Sequence, residues 1–272
     1  MESIQLTGLN RNTIDKYYTK PHIADKLIQL IKEHIKISKK DLIIEPSAGN
    51  GSFIGIKNLG ANYRFYDLEP EHDEIIKQDF LELDCEKLKK DYKKIHIIGN
   101  PPFGRQASIA IKFIKKCLVF NSISFILPKS FKKDSMKKYF PPNFHLIYEL
   151  DLDDNSFLIN KTECNVPCVF QIWEYKKHIR LIQMKEEPKN FTFVEKNSNP
   201  DISFRRVGVN AGTISTEIDS KSIQSHYFIK FTNNIIKENI DKLKPIKFDT
   251  NNTVGPRSIS KPELINEFNK YL

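Results

Sequence analysis

Long apolar runs are missing from this chain: no window of about 18 apolar residues occurs in its 272, so no membrane-crossing helix is expected. The first residues, Met1-Glu2-Ser3-Ile4-Gln5-Leu6, lack the basic and then apolar order of a secretory signal. The expectation is therefore an intracellular protein, cytoplasmic or in the cytoplasm of a virus-infected host, and not secreted. Cysteine is scarce. The four present, Cys85, Cys117, Cys164 and Cys168, form no CxxC pair and accompany no histidine cluster at zinc spacing. Reduced thiols and no metal site are expected. Internal repeats and low-complexity linkers are also lacking. Acid is in short supply: 34 Asp and Glu face 43 Lys and Arg, a net charge of +9.

What is present is an ordinary apolar fraction of 39%, enough core for one large domain or one domain with a smaller appendage. The positive charge is uneven. Between Arg105 and Lys138 stand nine Lys or Arg and one acid, Asp134, a net of +8. A cationic surface of that kind suits a phosphate backbone, and Arg105 and Lys129 are its candidate contacts; solvated helix faces would give the same count. From Lys176 to the end the net is +6, with Phe204-Arg205-Arg206-Val207-Gly208 followed by Ser225-His226-Tyr227-Phe228. Arg205 and Arg206, with aromatics nearby, fit a nucleic-acid-contacting appendage. A β-hairpin with exposed charges is the plain alternative.

The first two-thirds alternates strand and helix patterns. Apolar residues Ile23, Leu27, Ile28, Leu30 and Ile31 recur at helical spacing after Tyr18-Thr19-Lys20-Pro21, with Thr19 as the expected N-cap. Asp41 to Glu45 reads as a buried strand, and Pro46-Ser47-Ala48-Gly49-Asn50-Gly51-Ser52 as a tight turn opening a helix. Glu45 at the strand's end suits a cationic ligand rather than a phosphate. Asn62–Tyr66 is the next strand. It ends in Asp67, 22 residues past Glu45, the spacing at which an acid meets ribose hydroxyls. Asp79 and Phe80 follow, a carboxylate and an apolar face for an aromatic ring. Further strands are expected at Lys94–Gly99, Ser122–Pro128, Phe144–Leu152 and Val166–Tyr175, a helix over Ala107–Leu118, and a capping box at Ser260-Lys261-Pro262-Glu263.

Asn100-Pro101-Pro102-Phe103 lies directly at the carboxyl end of the Lys94–Gly99 strand, where open α/β sheets bind ligands. Two prolines make a rigid corner and remove two backbone donors. The Asn100 oxygen and the Pro101 carbonyl could each accept one N–H of a planar amino group, while Phe103 offers a stacking face. Phe157, in a later loop, is a candidate second wall or a core residue.

In this order, Tyr-Thr-Lys-Pro, Glu-Pro-Ser-Ala-Gly-Asn-Gly-Ser-Phe, Asp-Leu-Glu-Pro, Asp-Phe-Leu and Asn-Pro-Pro-Phe resemble the S-adenosylmethionine-dependent adenine-N6 methyltransferases in their gamma-class arrangement. The resemblance spans about residues 17–175. It implies a Rossmann-like class I α/β fold: a seven-stranded, mostly parallel sheet with an antiparallel last strand. It implies S-adenosylmethionine as cofactor, held by Thr19, Glu45, Ala48, Gly49, Gly51, Asp67, Asp79 and Phe80. The base-holding roles would fall on Asn100, Pro101, Pro102 and Phe103, with Phe157 beside them. Residues 1–175 are then expected to form the catalytic domain, and 176–272 a small target-recognition region, short enough that a partner subunit for target choice stays open. The expected activity is N6 methylation of adenine in DNA. The same chemistry on RNA, methylation of a protein glutamine, and a non-catalytic nucleic-acid-binding module are the alternatives; the basic surface disfavours a protein substrate, and the intact glycine turn and Asn-Pro-Pro-Phe corner disfavour a decayed module.

Overall fold

A computed structural model of the protein describes residues 16–159, 161–181, 186–248 and 257–272. The chain divides into two compact units, Met1–Ile182 and Gln183–Leu272. The first carries β1 (Tyr18–Thr19), α1 (Pro21–His34), β2 (Leu42–Glu45), β3 (Asn62–Asp67), β4 (Ile75–Lys77), α2 (Cys85–Asp91) and β5 (Ile95–Gly99). It continues with α3 (Ser108–Cys117), β6 (Ser122–Pro128), α4 (Asp134–Lys137), β7 (Phe144–Asp151), β8 (Phe157–Ile159), β9 (Thr162–Cys164) and β10 (Cys168–Tyr175).

Seven of these strands form one sheet in the order β4-β3-β2-β5-β6-β10-β7. β4, β3, β2, β5 and β6 pair in parallel, whereas β10 runs antiparallel to both β6 and β7. This is the Rossmann-like, mostly parallel sheet with an antiparallel last strand that the sequence leads one to expect. The physical cause is visible in burial. All residues of β2, β5 and β6 are buried, as the continuous apolar runs of strands covered on both faces demand. α1 buries Ile23, Ala24, Leu27, Ile28 and Ile31, one stripe at helical spacing, each larger side chain contributing about 1.5–3 kcal/mol. At the β10–β7 edge, Phe140 stacks on Trp173 at 4.1 Å and 5°, and the Arg180 guanidinium donates to the carbonyls of Phe144 and Phe140.

Two local expectations are corrected. Thr19 does not cap α1: Lys20 is the N-cap, and Thr19 pairs in β1 with Phe157 of β8. No α-helix follows the glycine turn either. The chain makes a 3-10 helix over Ile54–Leu59 and reverses at Gly60, which adopts φ 77°. With Gly51, Gly55 and Gly60 spaced through ten residues, this segment is a poor helix former.

β1, β8 and β9 form a separate antiparallel sheet, with Tyr18 opposite Leu158 and Thr19 opposite Phe157. The second unit contains β11 (Phe191–Val194), β12 (Ile202–Arg205), β13 (Ile214–Ser215) and β14 (His226–Phe231), a four-stranded antiparallel sheet ordered β11-β14-β12-β13. With α5 (Ile236–Leu243) and α6 (Lys261–Phe268) it encloses Phe191, Ile202, Phe204, Ile229, Leu264 and Phe268. The expected capping box opens α6: Ser260 N–H donates to Glu263 Oε2 at 2.7 Å, and the Ser260 hydroxyl faces the Glu263 N–H. Among the described residues, no helix is long and apolar enough to cross a membrane.

Candidate active site

The chain builds β2, β3 and β4 to one side and then returns to lay β5 and β6 on the other, so β2 and β5 flank the point where strand order reverses. A crevice opens outside the carboxyl ends of such strands. The glycine turn leaves β2 there and the Asn-Pro-Pro-Phe corner leaves β5, and the two touch. The Ser47 hydroxyl donates to the Asn100 carbonyl at 3.2 Å. Gly99, at φ 149°, lies so close to Glu45 that a Cβ would meet its Cγ at 3.1 Å.

The glycine turn is held by β3. Asp67 Oδ2 accepts from Gly49 N–H at 2.7 Å and Oδ1 from Glu69 N–H at 2.8 Å. Ala48 N–H donates to the Tyr66 carbonyl at 2.9 Å, and Gly51 N–H donates back to the Ala48 carbonyl at 2.7 Å. Gly49, at φ 52°, packs under the Tyr18 ring. β1 therefore crosses both motifs, with Tyr18 over the glycine turn and its neighbours against the corner.

Those neighbours orient Asn100. Its Nδ2 donates to the Tyr17 carbonyl at 2.9 Å and approaches Thr19 Oγ1 at 3.4 Å. With the amide nitrogen engaged, Oδ1 is left without a hydrogen bond from any described residue, as is the Pro101 carbonyl. The corner itself is anchored to α3, whose first-turn N–H groups of Ile109 and Ala110 both donate to the Phe103 carbonyl, at 3.1 and 3.3 Å. Phe103 lies nearly parallel to Tyr17, 21° with ring centres 6.4 Å apart, and Tyr17 meets Phe157 edge-on at 6.5 Å.

Glu45 is fully buried, and its Oε2 has no hydrogen-bond partner. Burial first, and the neighbouring negative Asp67 second, push its carboxyl well above the usual range. A buried acid without a cation is the feature a positively charged ligand would satisfy. At the rim, burial and a hydrogen bond to Glu71 push the Tyr18 phenol up to about 12. Asp79 caps a 3-10 turn by accepting from Leu81 N–H at 2.8 Å. Among the described residues no group of three or more His, Cys, Asp or Glu side chains is arranged to hold a metal.

The remaining candidates are placed as follows. Phe80 is a core residue, stacked on Phe113 at 5.7 Å, rather than an open lid. Phe157 is 1% exposed, and the ring parallel to Phe103 is Tyr17 instead. Lys129 is paired with Asp151 at 3.2 Å, with Lys132 on the other oxygen at 2.8 Å. Arg205 and Arg206 belong to the second unit and brace its own turn. Arg205 donates to the Val207 carbonyl at 3.0 Å; Arg206 donates to the Gln224 carbonyl at 3.0 Å and lies 5.4 Å from the Tyr227 ring centre. Arg105 is exposed beside the corner. Sequence reasoning missed Tyr17 and Ser47. The one available signal was their adjacency to motif residues, Tyr17 to Tyr18-Thr19 and Ser47 to Glu45-Pro46.

Residues 54–180 match the family model described as the EDM2 methyltransferase-like domain. The protein ENHANCED DOWNY MILDEW 2 of Arabidopsis thaliana is 28% identical over 169 residues, which is 57% of this chain but 12% of that protein. The chain thus spans about an eighth of the curated relative it matches. Solved structures that are similar include a candidate RNA methyltransferase from Pyrococcus horikoshii, at TM-score 0.46 and 16% identity over 62% of this chain and 94% of that one. The modification subunit of a candidate type I restriction enzyme from Vibrio vulnificus gives TM-score 0.44 and 12% identity over 61% and 46%. Residues 54–180, within the first unit, are thus similar to a methyltransferase-like domain.

Proposed function

We propose that this protein transfers a methyl group from S-adenosylmethionine to the N6 amino group of adenine in DNA, with the target base flipped out of its helix. One observation carries this reading: at the β2–β5 crevice, two acceptors without a donor among the described residues, Asn100 Oδ1 and the Pro101 carbonyl, stand at a corner beside a buried acid, Glu45, whose Oε2 has no hydrogen-bond partner.

The residues present fit the implied cofactor, because the orphaned Glu45 Oε2 calls for a positively charged group. Thr19, Glu45, Ala48, Gly49, Gly51, Asp67 and Asp79 would hold it. When bound, S-adenosylmethionine supplies an electrophilic methyl on a positively charged sulfur. The chain's own task is to prepare the amino group. Asn100 Oδ1 and the Pro101 carbonyl each accept one amino N–H, which draws the nitrogen lone pair out of ring conjugation and aims it. Tyr17 and Thr19 keep the amide from turning its nitrogen toward the base. Phe103 and Tyr17 supply apolar walls that exclude water. Positioning of a neutral nucleophile by prealigned acceptors is the whole of the chain's contribution, and effects of this kind reach about 10²–10³-fold per group.

The gamma-class order of the motifs supports DNA over RNA. Transfer by the wild-type protein and by Asn100→Ala, with cofactor affinity measured in parallel, tests the reading. The variant should lose transfer while binding S-adenosylmethionine nearly as well; near-normal turnover would refute the role of Asn100.

A further inference from the structure

Within the cationic block from Arg105 to Lys138, some side chains are partnered and others are not. Lys129 and Lys132 share Asp151, Lys137 meets Glu149 at 3.4 Å, and Lys138 lies over its neighbour Tyr139. Arg105, Lys112 and Lys115 differ: all three are exposed, and none of their side chains has a hydrogen bond, ion pair or ring contact with a described residue. Lys112 and Lys115 stand three apart on α3, with Cβ atoms about 5–6 Å from each other, so they share a face. Lys115 is in the last turn, where the helix dipole alone favours a cation; Lys112 and Arg105 have no such reason to be there.

The turn that leads into α3 is also unusual. After Gly104 at φ 68°, two non-glycine residues, Gln106 and Ala107, take left-handed conformations at φ 54° and 60°. Such residues cost about 1–3 kcal/mol each and persist where surrounding structure overrides them. Here the override is the Phe103 carbonyl held by Ile109 and Ala110, and its effect is to leave Arg105 and Gln106 in solvent just past Phe103.

We propose that Arg105, in the turn leading into α3, and Lys112 and Lys115 on α3 form a phosphate track that holds the backbone of the DNA strand carrying the target adenine. This rests on the function proposed above and assigns the strand's path on the first unit. The contacts are electrostatic and independent of base sequence, so they set affinity and salt dependence rather than site choice.

The test is fluorescence anisotropy with a labelled 20-base-pair duplex and a matched RNA, between 0.05 and 0.3 M salt, for three proteins. These are wild type, Arg105→Ala/Lys112→Ala/Lys115→Ala, and a control, Lys36→Ala/Lys39→Ala/Lys40→Ala. The control removes the same charge from exposed positions just before β2, at the amino end of the sheet. Each lost phosphate contact lowers the slope of log affinity against log salt by about 0.9, so the α3 triple should lose about 2.7 and bind at least about tenfold more weakly at 0.1 M. The control should stay within about twofold, and S-adenosylmethionine affinity of the α3 triple should be unchanged. Equal slopes for wild type and the α3 triple overturn the track while leaving the methyltransferase reading standing. Equal losses in the control also overturn it, because charge alone would then be responsible. A wild-type protein that binds neither DNA nor RNA refutes the underlying reading itself.

Discussion

Replacing Glu45 with glutamine isolates the most unusual electrostatic feature of the site. The side chain keeps its shape and loses its ionisation. In the folded protein the Glu45 carboxyl is held well above its ordinary value of 4.5 by burial and by Asp67, and Oε2 has no donor. Below about pH 4.5 the acid is neutral in both folded and unfolded chains and has no pH-dependent effect. Above it the unfolded chain ionises and the folded one does not, so stability is lost as pH rises, at about 1.4 kcal/mol per pH unit until the folded-state value is passed. The Glu45→Gln side chain cannot ionise, and that loss vanishes. Its amide leaves an unsatisfied polar atom instead, a penalty of about 1–3 kcal/mol that is the same at every pH. Thermal unfolding of both proteins from about pH 4.5 to 8 should therefore give curves that converge or cross, the variant gaining on wild type by about 2–4 °C per kcal/mol. Added S-adenosylmethionine should reverse the wild-type trend, since a cation favours ionised Glu45, and should bind the variant more weakly. Parallel curves for the two proteins across this range would refute the reasoning.

Other outcomes follow from the same geometry. Asn100→Ala should reduce the transfer rate by at least about 100-fold with cofactor affinity changed less than about threefold, read by single-turnover kinetics and calorimetry. Gly104→Ala places a Cβ 2.5 Å from Ile109 Cγ1 at a φ of +68°. It should lower stability by about 1–3 kcal/mol in urea unfolding and slow transfer, because the corner and α3 share this joint. Ser260→Ala removes half of the α6 capping box and should weaken that helix by about 1 kcal/mol, seen as faster amide exchange at Leu264–Phe268.

Much of the first unit was legible because its strands are short, fully buried runs such as Ile95–Gly99 and Ser122–Pro128, and because α1 and α3 carry clear helical spacing. Each of the two motifs follows directly on an expected strand, and the family resemblance assigns them to one site. What could not be read depends on contacts distant in the chain. β1 and β8 are two and three residues long and pair Tyr18 with Leu158, with no periodicity to announce them. That pairing turns Thr19 from a helix cap into a strand residue and brings Tyr17 to Asn100 and Phe103. Likewise the pairing of Lys129 and Lys132 with Asp151 neutralises part of a block that reads as uniformly cationic in sequence. The missing helix after Gly51 reflects glycine content, a local signal that the strand–turn–helix pattern outweighed.

The central claim is most directly tested by incubating the protein with methyl-labelled S-adenosylmethionine and matched DNA and RNA pools, then digesting to nucleosides and separating them. The account predicts label in N6-methyldeoxyadenosine, abolished by Asn100→Ala. Label confined to N6-methyladenosine would contradict the choice of DNA, and no label in either pool from a protein that binds the cofactor would contradict adenine as the acceptor.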